Sequence, residues 1–494
     1  MPVPTRYHWQ ALAFFSILLL ISCGKEADQD TIARAGKRKI GWTELNQSFN
    51  LEPKWGRGLT QKEAYYNQLD YLIDEKVFAQ EAESEQLQLK NNDFAGYLQF
   101  IEEKELIREL YRQEVSSKII ISDDEYQQAY RFSKIQLRYA YIESPDSLRA
   151  REYLKQLTAV GDFSKIHLFL SGEDRQGESP WIKYGDVDEE LERILFNLGL
   201  GEIAGPVRIG GKYYIVQLLE GNRDKFLSEK DFAENKSKIR KIIFDRRAAK
   251  VSESYVRKIM SGKEVRLNPA VFAVALNHFS RIAASRSDQD NNLAPVQLRD
   301  YELRKVEQNL SDILGEPIVF FADGQMTVAQ FLTKLLNMPQ GLRPQIHMAK
   351  DLKVAIGRVV RNYYFTREAR TQGLDKLSTV RDQIQREQDK VLAQVWLKNL
   401  QGTIAVSDED VRKFIASEQY VNLQKKLGHQ PDATFVRNII SDLKFNDIRY
   451  QAADSLRKKY GIEVNDKKLI TEIKNPDEII KNDPISFSYQ EEFY

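Results

Sequence analysis

Few side chains in this sequence are suited to covalent or metal chemistry. The chain of 494 residues holds one cysteine, Cys23, and the histidines beyond the first segment, His167, His278, His347 and His429, are scattered with no metal-ligand spacing between any two. A single thiol excludes disulfides, cysteine-based zinc sites and a cysteine nucleophile elsewhere. The Gly-Lys pairs at Gly24, Gly36, Gly211 and Gly262 lack the preceding glycine or following Ser/Thr of a phosphate loop, so no ATP-driven cycle is indicated. What remains are phenols on strand-like segments, Tyr139 in KIQLRYAYIES and Tyr214 in GPVRIGGKYYIVQLLEGN. A phenol both donates and accepts a hydrogen bond. Two of them on adjacent strands can hold a peptide group in a cleft, or pack as a cross-strand aromatic pair, which is the simpler use of such residues.

The elements that would position these groups follow from period and turn chemistry. Ile135, Leu137, Tyr139 and Tyr141 alternate as on one face of a half-buried strand. Gly210-Gly211 between two apolar runs predicts a hairpin, because a two-residue primed turn needs positive φ. A helix-like stretch runs from Ser147 to Ala159 between them. Residues 60 to 130 read as helices, with Leu69, Leu72, Ile73 and Val77 on one stripe. The stripe recurs as Ile356, Val359, Val360 and Tyr364, and Glu81-Ala82 recurs 287 residues on as Glu368-Ala369. Helix-start signals follow in both copies, Ser122 with Glu125 and Ser407 with Asp410, at an offset of 285. Farther on, VRLNPAVF from Val265 matches IEVNDKKLI from Ile462 at an offset of 197. Three landmarks in one order with one change of length predict a duplication in which the first copy carries an insert. The strand-like segment 133–222 has the size of a small domain and supplies it, leaving 31–132 and 223–283 as the halves of the first copy. Residues 284–312, which begin with the polar ASRSDQDNN, are expected to link it to a second copy over 313–494.

The amino terminus decides the compartment. Arg6 and His8 precede an apolar run from Ala11 to Ile21, too short to span a bilayer as a mature helix. Leu20-Ile21-Ser22-Cys23 resembles the lipobox of bacterial lipoproteins, which implies a signal peptide over 1–22, lipidation of Cys23 and a tether over 23–30. The residue after the cysteine is Gly24, with no aspartate to signal inner-membrane retention. The expected location is the outer membrane facing the periplasm, or the plasma-membrane exterior in a single-membrane host. A net charge of +1 with 29% charged residues gives no sign of nucleic-acid binding.

The order of strand, helix, GDF at Gly161, a Trp181-containing segment, LFNLGLGEIAGPVRI and a closing hairpin resembles the parvulin-type peptidyl-prolyl isomerases. With flanking helices, the layout looks like chaperone-isomerases of the SurA and PrsA kind. The resemblance implies an α+β protein: duplicated, mainly helical chaperone domains with one inserted parvulin-like α/β domain on an antiparallel sheet. It also places the family's two active-site histidines at Tyr139 and Tyr214, its Cys or Asp near Glu173, its proline pocket at Val187, Leu191 and Phe196, and its glycine before the tryptophan at Pro180. No cofactor is implied.

The expected function is a lipid-anchored, ATP-independent chaperone or foldase for unfolded envelope or secreted polypeptides, with low or no isomerase activity. Two other readings stay open at this point. One is an active prolyl isomerase; the other is an accessory subunit of an outer-membrane assembly or secretion complex.

Overall fold

The computed structural model describes residues 30–87, 92–160, 163–223, 229–287 and 297–481. Cys23 and the leader lie outside the described residues, as does the middle of the expected linker. The strands are β1 Thr31–Ala35, β2 Arg38–Gly41, β3 Ile135–Ser144, β4 Arg175–Glu178, β5 Ile203–Ile209, β6 Lys212–Arg223, β7 Val265–Leu267, β8 Pro317–Phe321, β9 Gly324–Thr327 and β10 Ile462–Val464. They form three antiparallel sheets, ordered β10-β1-β2, β4-β3-β6-β5 and β7-β8-β9, within a mainly helical α+β chain. The chain divides into a unit from Leu110 to Gly262 and a unit built from the residues before and after it.

In the 110–262 unit the alternation in β3 sorts side chains onto two faces. Leu137 and Tyr139 join Val216, Leu218, Leu191 and Leu195 on one. Ala140 and Ile142 join Ile215, Tyr153, Leu157 and Ile166 on the other, beneath the helix Ser147–Val160. Gly210 and Gly211 take φ of +55° and +85° and join β5 to β6 in the expected tight turn. At Gly205 a Cβ would stand 2.6 Å from the Tyr214 carbonyl oxygen, so this close approach of β5 to β6 requires glycine. The unit also takes in helices on both sides of the sheet segment. Asp123–Ser133 begins at a capping box in which the Ser122 N–H donates to Glu125 at 2.9 Å. Its Tyr126, Ala129 and Tyr130 pack on Ile239 and Ile243 of the helix Glu229–Met260.

The other unit is closed by segments far apart in sequence. The stripe Leu69, Leu72, Ile73 and Val77 lies on the helix Gln61–Ser84 and is buried with Ile32 and Ile40 of the first hairpin and with Leu392, Trp396 and Leu456 from the last third of the chain. The second stripe, Ile356 to Tyr364, is buried on the helix Ala349–Thr371. Each hairpin receives a third strand, and the assignment is crosswise. β10 pairs with β1, Ala33 facing Val464, while β7 pairs with β8, Leu267 facing Val319. The Asn465 N–H then donates to Ile32 O at 2.8 Å, and the Asn268 N–H donates to Ile318 O at 3.0 Å. The segment Val265–Leu267, which lies in the span expected for the first copy, thus pairs with a hairpin in the span expected for the second. The sequence offsets recur in side-chain contacts as well. Arg247 bonds Ile120 O and Glu125, and Lys444 bonds Ala405 O at 3.1 Å and Asp410 at 2.6 Å.

Part of the expected linker is ordered structure. Asp300–Asn309 is a helix, because Leu303, Val306 and Leu310 have helical spacing and all three are buried.

The most deeply buried lysine described in this unit is Lys76, 1% exposed. Its ammonium lies 2.9 Å from Glu44, 3.3 Å from Glu75 and 3.3 Å from Asp389, and Arg38 binds Asp389 at 2.9 Å and Glu83 at 2.6 Å. Burial lowers the affinity of Lys76 for its proton, yet the three carboxylates outweigh that and hold it above the ordinary lysine range. Burial also pushes the Glu75 carboxyl up to about 7 from 4.5, against the opposing pull of Lys76. Between those values the folded chain holds a proton that the unfolded chain has released, so stability falls as pH rises through that window, by an upper limit of about 3 kcal/mol. Glu75→Gln is therefore expected to raise the melting temperature at pH 8 and to leave it nearly unchanged at pH 5. A difference from the parent that is the same at both pH values would contradict this.

Candidate functional site

β3 presents Leu137, Tyr139, Tyr141 and Glu143 at period two, and a register shift between Arg138 and Tyr139 fixes what each one faces on β6. Tyr139 pairs with Leu218, Tyr141 with Val216 and Glu143 with Tyr214. The expected packing of Tyr139 directly across from Tyr214 is not what forms, because that register sets them too far apart along the strands. Tyr141 lies between them, its ring centroid 6.2 Å from Tyr139 and 6.4 Å from Tyr214. Gly177 on β4 makes room for the Tyr141 hydroxyl, which lies 2.7 Å from where a Cβ would stand.

The two phenols expected at the family's histidine positions have different surroundings. Tyr139 is 8% exposed, and burial, with Tyr141 beside it, raises its phenol above the ordinary value. Its backbone is stitched to the tryptophan-containing segment: Ser179 Oγ accepts from Tyr139 N at 3.0 Å, and Tyr139 O accepts from Ser179 N at 2.8 Å. Tyr214 is half-buried, and its hydroxyl donates to Glu143 Oε2 at 2.7 Å. Lys212 bonds the other oxygen of Glu143 and holds that carboxyl below the usual range, against the opposing effect of burial. Burial, and then the bond to Glu143, push the Tyr214 phenol up to about 12. Tyr214 therefore keeps its proton at neutral pH, and that proton is committed to Glu143.

Val187, Leu191 and Phe196, the expected proline-pocket positions, join Tyr139, Tyr141 and Tyr214 in one apolar cluster. Leu191 is buried at 5% exposure, while Val187 and Phe196 are half-buried. The helix Glu189–Leu195, which carries Leu191, starts at Asp188, whose side chain accepts from Glu190 N at 2.9 Å. Arg246 on the helix Glu229–Met260 holds this segment. It binds Glu192 at 2.6 and 3.0 Å, donates to Val187 O at 3.1 Å and lies over the Tyr184 ring at 5.1 Å. Phe132 meets Phe196 edge-on at 5.3 Å.

Glu173 is not part of this cluster. It lies exposed in the turn between Ser171 and Asp174, before β4 begins. The carboxylate that reaches the tyrosines is Glu143, and the alternation of β3 that selected Tyr139 and Tyr141 was signal enough to find it. Arg246 had no comparable signal, because its role depends on how a distant helix packs.

No protein-family model matches the chain. It is similar to the foldase protein PrsA 2 of Bacillus cereus, 23% identical over 257 residues that cover 48% of this chain and 84% of the relative. It is also similar to the foldase protein PrsA of Exiguobacterium sibiricum, 24% identical over 175 residues that cover 34% of this chain and 56% of the relative. Among solved structures, the peptidylprolyl isomerase PrsA of Bacillus anthracis aligns at 18% identity with a TM-score of 0.23, over 38% of this chain and 96% of that one. The chain is a homologue of the PrsA foldases over about half its length.

Arg246→Ala would strand the carboxylate of Glu192, which is 5% exposed, without its cation. Removing one partner of such a pair costs about 3–5 kcal/mol. Hydrogen exchange should show residues 185–196 losing protection first, and unchanged protection there would refute the clamp.

Proposed function

We propose that this homologue of the PrsA foldases is a lipid-anchored, ATP-independent chaperone that binds unfolded envelope or secreted polypeptides, with little isomerase turnover in its parvulin-like unit. The observation that carries the reading is the state of the two phenols: Tyr139 is sealed in the core, and the Tyr214 proton is already donated to Glu143. Rotation about a peptide bond crosses a barrier of roughly 18–20 kcal/mol. A prolyl isomerase must favour the twisted amide over both planar forms, for which a hydrogen bond made only in the transition state is the effective tool. The Tyr214 proton is committed to Glu143, and Tyr139, at 8% exposure, has little surface to offer an incoming amide. Binding needs less: half-buried Val187, Phe196, Tyr141 and Tyr214 offer a partly apolar surface to an extended chain. Weak contacts of that kind lower the free concentration of aggregation-prone polypeptide without fuel.

A refolding assay limited by prolyl isomerisation is expected to show less than about twofold acceleration at equimolar chain, while aggregation of a model client is suppressed. Strong acceleration, lost in Leu191→Ala, would establish the enzyme instead. Protection of no client, together with one stoichiometric partner set on purification, would establish an accessory subunit. The lipobox-like Leu20-Ile21-Ser22-Cys23, with Gly24 after it, supports lipid attachment and an outer-membrane anchor facing the periplasm. Cys23→Ser is accordingly expected to move the protein from the membrane to the soluble envelope fraction, and continued membrane retention of that variant would refute the anchor.

A further inference from the structure

We infer that the Tyr214 face recognises a backbone N–H of its polypeptide, and so prefers a residue other than proline at the position it grips. The inference rests on the reading that this unit binds polypeptide, and it names what is read there. A phenol has one proton and acceptor lone pairs. The proton of Tyr214 goes to Glu143 at 2.7 Å, and a carboxylate that also binds the Lys212 ammonium can only accept. What Tyr214 can still offer an incoming chain is therefore an acceptor, its oxygen, strengthened by the charged partner on its own hydrogen.

The surroundings favour a neutral donor with apolar neighbours. Glu143 is matched by Lys212 and also faces Arg175 across β4, so no net negative charge is left to attract a cationic donor. Val207 stands across from Tyr214 on β5, the Tyr141 ring lies 6.4 Å away, and both belong to the same half-buried apolar cluster. An ordinary peptide unit beside an apolar side chain satisfies all of this. The nitrogen of proline cannot, because it carries no hydrogen. The replacement of histidine by tyrosine then changes what the site reads as well as what it catalyses.

Three fluorescein-labelled decapeptides without basic residues would test this on the mature full-length chain by anisotropy. They share a Phe-X-Leu centre, in which X is alanine, N-methylalanine or proline. N-methylalanine lacks the N–H without supplying the ring, which separates loss of the donor from the shape of proline. The alanine peptide is expected to bind about three- to tenfold more tightly than both others, the range for one hydrogen bond to a polar, partly shielded acceptor. Tyr214→Phe keeps the ring and should erase that advantage. Glu143→Gln, which lets the hydroxyl turn outward as a donor, should reduce it. Proline binding as tightly as alanine, or an alanine advantage intact in Tyr214→Phe, would overturn the inference. Absence of binding by all three while the chain still suppresses aggregation would overturn it too and leave the chaperone reading standing. The expected peptide ranking without any client protection would do the reverse.

Discussion

A lysine buried as deeply as Lys76 can persist only if charges reach it from several directions, and here they come from elements that the chain delivers at very different times. Glu44 and Glu75 are supplied early, but Asp389, which also anchors Arg38 of the first hairpin, belongs to the helix Ser378–Gly402. Removing any one carboxylate from such a cluster shifts its balance, because the desolvation of a buried ion is compensated only by close partners. The same long-range dependence governs the backbone, since β1 lacks its second neighbour until β10 arrives. Contacts of this separation carry a large loop-closure cost and slow folding. The intervening chain, including the whole 110–262 unit, is an excursion between the two halves of one core.

Within that excursion, the sheet sets the chemistry through register. One irregularity between Arg138 and Tyr139 decides that Glu143, and not Ser144, faces Tyr214. A phenol bonded to a carboxylate is a different reagent from a free phenol: it holds its proton more firmly and turns its oxygen outward as an acceptor. The apolar part of the site is fixed by a similar economy, because Arg246 orders Val187 and Glu192 together. The site thus keeps a half-buried apolar surface while the Tyr214 proton is committed within it.

The local features were legible in the sequence because each has its own chemical signature. The Gly210-Gly211 turn, the capping boxes at Ser122 and Ser407, and the buried stripe from Leu69 to Val77 all need only neighbouring residues to specify them. The offsets of 285 and 197 were visible too, and they reappear in the paired contacts of Arg247 and Lys444. Which hairpin each third strand would join was not legible. Val265–Leu267 and Ile462–Val464 are three residues long and alike in pattern, so nothing local in them names a partner. The displacement of Glu173 and the recruitment of Glu143 fall between these cases: strand period placed Glu143 on the correct face, but its bond to Tyr214 depends on cross-strand register.

On this reading the chain holds many unrelated unfolded polypeptides and turns over few prolyl bonds. That is tested most directly by crosslinking in intact cells, with the full-length protein recovered and the captured chains identified by mass spectrometry. The account predicts a broad spread of envelope and secreted precursors, captured without enrichment for proline-rich segments. Recovery of one fixed, stoichiometric set of folded partners would contradict it.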